Sequence, residues 1–215
     1  MIDSARLYLV TPVLDSHEAF APVLTAALDA APVDCVLLRL PPHDDGLRRK
    51  VATALTPLVQ ERGAALLIEA DTRLAAAVGA DGVHVEGAGD DLASALGSMK
   101  PARIVGCGRL PDRDAAMEAG ETGVDYLMFG DEAEVAPFDE RLDRVGWWAE
   151  IFQVPCVAMA ASLDEVKPLA EASAEFIGLG DALWDDPRGA AAVIAEVAAT
   201  LAAVAEAKAA ALAGS

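Results

Sequence analysis

The side chains of this chain that could do chemistry recur at the ends of short apolar runs. Arg39 follows Cys35–Leu38, Glu69 follows Ala65–Ile68, and Glu86 follows Gly82–Val85. Gly130-Asp131 follows Tyr126–Phe129, and Gly180-Asp181 follows Glu175–Leu179. With Asp71 and Asp91 just beyond their runs, these carboxylates would ring one end of a sheet. Such a ring suits a hard cation held by oxygen ligands, or a cationic ligand. Glu69, Asp71 and Asp91 are the candidate metal ligands. Asp71, Asp91 and Asp131 also stand where a helix N-cap carboxylate is expected, so capping competes with ligation. Arg39 is the candidate contact for an anion or carboxylate, with an ion pair to Glu69 as the competing reading.

His84 lies inside the fourth run and faces one side or the other of its strand. It is a candidate catalytic group, weighed against a satisfied core histidine. No Ser-His-Asp order and no metal-type histidine spacing accompanies it. Arg109, with Arg103 and Arg113, forms a basic cluster around the end of the fifth run, where Gly108 stands. Arg109 either contacts a phosphate or balances neighbouring acids. Cys107 reads as a buried inert thiol, because no nearby Lys or His would lower its pKa.

The elements that position these residues are eight apolar runs, each followed by a helical pattern. The runs are Leu7–Val10, Cys35–Leu38, Ala65–Ile68, Gly82–Val85, Arg103–Cys107, Tyr126–Phe129, Pro155–Ala158 and Glu175–Leu179. Helices are expected from Ser16 to Ala30, from Asp44 or Asp45 to Arg62, up to Val78, and from Asp90 or Asp91 to Met99. Further helices are expected from Asp112, over Arg141–Phe152, Leu163–Ala172 and Pro187–Leu212. Gly63 and Gly79 serve as stops. Continuous apolar strands imply burial on both faces, as in a parallel sheet. Eight strand–helix units in 215 residues favour a single (β/α)8 TIM barrel spanning 1–215 over a doubly wound sheet.

Composition narrows the function. Sixteen Lys and Arg against 35 Asp and Glu give a net charge of −19. That field disfavours nucleic acid and anionic lipid as partners and points to a small-molecule ligand. The three cysteines are scattered, without a CxxC pair, which implies a reducing compartment. No signal peptide is read at the N-terminus, and no run reaches the roughly 20 apolar residues of a membrane span. A soluble, cytoplasmic protein is expected. The adjacent Trp147 and Trp148 cannot point the same way from a helix, so one of them is expected at a homodimer interface.

Several segments resemble the thiamine phosphate synthase and thiazole tautomerase family. They are LYLVT at the first strand, VLLR at the second, LAAAVGADGVHVE across the third helix and fourth strand, IVGCG at the fifth, and GVDYLMFG at the sixth. The resemblance implies a small (β/α)8 barrel. It also implies a magnesium-dependent reaction that joins an aminopyrimidine methyl pyrophosphate to a thiazole phosphate and releases pyrophosphate. Arg39, Gly108, Asp131, Gly180 and Asp181 fall where that family contacts substrate, and Arg109 would replace a lost phosphate contact.

The chain departs from the family pattern at these same places. Of the Gln-x-Arg-x-Lys ending of the second strand only Arg39 remains, and Pro41 replaces the Lys. The Asn-Asp ending of the third strand is Glu69-Ala70. The loop after the fourth strand is longer by about two residues and shifts its metal-binding Asp towards Asp91. The phosphate-binding Ser of the fifth strand is Gly108, and the Gly-Gly after the seventh is Ala160-Ala161. Asp181 stands where a phosphate would sit, a juxtaposition unfavourable by about 1 to 4 kcal/mol at 4 Å for dielectrics of 80 to 20. These departures imply low turnover. The alternative is a non-catalytic barrel kept for ligand binding or partner interaction.

Overall fold

The computed structural model describes residues 4–130 and 136–213. Eight parallel strands close on themselves in chain order. They are β1 (Arg6–Val13), β2 (Cys35–Arg39), β3 (Ala65–Glu69), β4 (Gly82–Glu86), β5 (Ile104–Gly108), β6 (Tyr126–Phe129), β7 (Cys156–Ala160) and β8 (Phe176–Leu179). Around them run α1 (Phe20–Ala30), α2 (Asp45–Gln60), α3 (Thr72–Val78), α4 (Asp90–Met99), α5 (Arg113–Glu121) and α6 (Phe138–Ile151). A 3₁₀ turn at Leu163–Glu165 leads into α7 (Val166–Glu171), and the short α8 (Asp181–Trp184) precedes α9 (Ala190–Ala213).

The apolar runs split into two cores, because successive side chains of a strand point to opposite faces. Leu9, Val36, Leu38, Leu66 and Ile68 face outward into the layer shared with the helices. Tyr8, Cys35, Leu37, Leu67, Tyr126, Met128, Val157 and Met159 fill the lumen. The lumen holds these large side chains because two strands offer glycine there. A methyl on Gly106 would fall on the Tyr126 ring, and one on Gly178 would fall on the Met159 sulfur.

Acids at the N-terminal end of the barrel tie its strands in pairs. Asp81 Oδ2, before β4, accepts from the Leu66 amide of β3 at 2.8 Å. Asp125 Oδ2, before β6, accepts from Val105 of β5 at 2.8 Å. Glu175 Oε2, before β8, accepts from Cys156 of β7 at 2.9 Å. These carboxylates serve stability, as expected for that face of a barrel.

The helix starts show which acids are caps. Asp44, Asp71 and Asp112 each accept an amide of the first turn, at 2.9, 2.8 and 2.8 Å. Neither Asp90 nor Asp91 caps α4; the N-cap is Gly89. Other boundaries move as well. β1 runs past Thr11-Pro12 to Val13 through a register shift, α1 starts at Phe20, and α6 starts at Phe138.

By length and composition α9 is apolar enough to cross a membrane, contrary to the expectation that no segment is. It packs instead along α1 and α7, burying Val193, Ile194, Val197, Leu201 and Val204. Both tryptophans of α6 also pack within the chain. Trp148 is fully buried, with its ring stacked on Phe152 and its Nε1 donating to the Val154 carbonyl at 2.7 Å. Trp147 packs edge-on against Trp148 and Phe152, under the guanidinium of Arg113 at 4.6 Å. This packing removes the exposed-aromatic reason for expecting a homodimer.

Candidate functional site at the barrel mouth

The C-terminal ends of the strands place the polar residues together. Arg39, Glu69, Glu86 and Gly108 are the last residues of β2, β3, β4 and β5. Arg109 follows directly, and Gly180 and Asp181 follow β8, with Asp181 opening α8. Asp131 lies outside the described residues.

The arginines sit against the acids. Arg39 Nε is 3.5 Å from Glu69 Oε1, and Arg109 Nη1 is 2.6 Å from Glu86 Oε2. Behind them Arg48 Nη2 is 2.7 Å from Asp71 Oδ2. Arg48 is a residue that the sequence reading missed. Its partner is 23 residues away and meets it only because α2 and α3 stand side by side.

Backbone devices fix these positions. Thr11, at the irregularity in β1, accepts from the Arg39 amide through Oγ1 at 3.0 Å. Ala70 and Arg109 take left-handed conformations, with φ of 52° and 51°. For residues with a Cβ this costs on the order of 1 kcal/mol, and it recurs at functional turns. It lets Asp71 cap α3 while Glu69 stays at the rim.

Arg141, also missed by the sequence reading, is the buried cation of the rim. It donates to the Met159 carbonyl at 3.2 Å and to Glu165 at 2.8 Å. Glu165 accepts in turn from the Ala161 amide at 2.8 Å. This tie anchors the end of β7. The only signal in the sequence was an arginine on the inner stripe of a helix.

Deeper in the lumen His84 faces inward. Its Nδ1 shares a hydrogen bond of 2.8 Å with the Tyr126 hydroxyl, which shares another of 2.7 Å with Tyr8. Burial holds the imidazole at a pKa of about 4, so it is neutral at pH 7. Burial likewise pushes both phenols well above their ordinary value. The other ring nitrogen lies over Gly108, where a methyl would approach Nε2 to 2.7 Å. The serine-to-glycine departure thus leaves open the space next to His84. Burial pushes the Cys107 thiol up to about 12, which leaves it inert at neutral pH.

The proposed metal set does not come together. Glu69 faces Arg39, Asp71 caps α3 and faces Arg48, and Asp91 is exposed on α4. Among the described residues no group of three or more His, Cys, Asp or Glu is arranged to hold a metal ion. Guanidinium groups stand beside Glu69 and Asp71, so a magnesium ion would compete with them for these carboxylates.

A closed parallel barrel with its polar groups gathered at the C-terminal mouth defines the (β/α)8 class, whose ligand sites lie at that end. Within that class, residues 7–183 match the thiamine monophosphate synthase family, and the chain belongs to it. It is 38% identical over 196 residues to a thiamine-phosphate synthase of Rhodospirillum centenum, covering 89% of this chain and 95% of that one. It is 31% identical over 199 residues to one of Hyphomonas neptunium, covering 88% and 90%. Thiamine phosphate pyrophosphorylase from Pyrococcus furiosus superposes with a TM-score of 0.78 at 22% identity, over 93% of this chain and 96% of that one. At that identity the superposition bears on the fold.

Proposed function

We propose that this protein is a transferase of the thiamine-phosphate synthase type. Its mouth binds a pyrimidine pyrophosphate and a thiazole phosphate, holds their phosphates weakly, and turns them over slowly. Family membership and the near full-length identity to curated thiamine-phosphate synthases support the reaction class. The observation that carries the weak hold is the pairing of Arg39 with Glu69 and of Arg109 with Glu86. A phosphate must compete with a carboxylate already in contact for each guanidinium. A preorganised donor missing from the transition state costs roughly 3 to 4 kcal/mol, a hundredfold or more in rate.

A second reading, a ligand-binding barrel without turnover, is supported by the engagement of Glu69 by Arg39 and of Asp71 by Arg48. The net charge supports a small molecule over nucleic acid or anionic membrane as partner, and the free cysteines fit a cytoplasmic setting.

Pyrophosphate release by the purified protein, with both substrates and magnesium present, decides between these readings. The expected rate is measurable but at least a hundredfold below the about 10 s⁻¹ median of enzymes. A rate within tenfold of that median overturns the weak hold. Thermal stabilisation by the substrates without pyrophosphate release establishes the second reading.

A further inference from the structure

Beside the mouth, outside the Arg39–Glu69 pair, α2 and α3 enclose a pocket of about 390 Å³ lined by Arg48, Arg49, Arg73 and Asp71. Three of the sixteen Lys and Arg of a chain with net charge −19 converge here. Arg49 and Arg73 are exposed and make neither an ion pair nor a hydrogen bond with a described residue. Every other basic side chain has such a partner. Arg48 is held by Asp71, yet its Nε is buried without a hydrogen-bond partner. Asp45, the other acid of the lining, is 99% exposed and reaches Arg48 Nη1 only at 3.8 Å.

We propose that this pocket is a binding site for a phosphoryl oxyanion, independent of the reaction at the mouth. Both acids of the lining reach Arg48, which leaves Arg49 and Arg73 uncommitted, and uncommitted guanidinium forks match the paired oxygens of a phosphate. The pocket exceeds a single phosphate, so its ligand is pyrophosphate or a phosphorylated small molecule.

The test is calorimetric titration of the full chain with inorganic pyrophosphate, with orthophosphate and citrate as comparison anions, at ionic strength matched by sodium chloride. Wild type is expected to bind pyrophosphate saturably and more tightly than citrate. Arg49→Ala/Arg73→Ala is expected to weaken binding at least tenfold, with unchanged thermal unfolding because both side chains are exposed. Arg49→Lys/Arg73→Lys keeps the charge without the fork and is expected to fall between. Lys50→Ala/Lys167→Ala removes two charges elsewhere and is expected to stay within twofold of wild type. Arg39→Ala reports on the mouth and is also expected within twofold. Absence of saturable binding, equal loss in the Lys50→Ala/Lys167→Ala control, citrate binding as tight as pyrophosphate, or loss confined to Arg39→Ala overturns the proposal. The last result locates the anion at the mouth and leaves the proposed reaction there standing.

Discussion

The Tyr126 hydroxyl of β6 lies 2.8 Å from Nδ1 of His84 on β4, reaching past the bare backbone of Gly106 on β5. The same hydroxyl lies 2.7 Å from that of Tyr8 on β1, so Tyr126 is the middle member of a buried polar chain. Tyr126→Phe would remove the hydroxyl that both Tyr8 and His84 bond to. The expected cost is about 1–3 kcal/mol of unfolding free energy, measured by urea denaturation. Tyr8→Phe should cost less, since His84 keeps its partner. Equal losses for the two variants would contradict the chain.

Burial of His84 makes stability depend on pH. Its pKa is about 4 folded against 6.5 as the ordinary value, so between these pH values the unfolded chain binds more protons than the native one. Stability therefore rises with pH across that window and falls as pH drops through it. A loss of about 2 kcal/mol is expected between pH 7 and pH 5. His84→Gln should flatten the profile. A wild-type urea midpoint that does not change over this range would rule out a neutral buried imidazole.

The two tryptophans of α6 should behave differently. Trp148→Ala empties a fully buried site between Phe129 and Phe152 and removes the donor to Val154. It should cost about 3–5 kcal/mol. Trp147 is only partly buried, so Trp147→Ala should cost less than half as much. Chemical denaturation of both variants checks the order.

Glu86→Gln removes the carboxylate facing Arg109 and one negative charge from the mouth. Affinity for the substrate phosphate that Arg109 contacts should tighten about tenfold, equivalent to about 1.4 kcal/mol. The gain should shrink in high salt, because the pair is partly exposed. Calorimetry at two salt concentrations tests this, and equal affinity for wild type and variant would detach the ion pair from phosphate binding.

The barrel was legible in the sequence because burial on both faces leaves a continuous apolar run, and eight such runs alternate with helical patterns. The end of each run marked the mouth, so Arg39, Glu69, Glu86, Gly108 and Asp181 were placed correctly by counting along one strand at a time. Capping by Asp71 and Asp112 was equally local.

What needed the tertiary structure was every pairing between strands and helices far apart in sequence. Whether Arg39 meets an anion or Glu69, whether Asp71 holds a metal or Arg48, and which face of β4 carries His84 depend on register and closure. These relations run between strands, whereas composition and periodicity describe one element at a time. Tyr8 and Tyr126, 118 residues apart, touch only once the eighth strand pairs with the first.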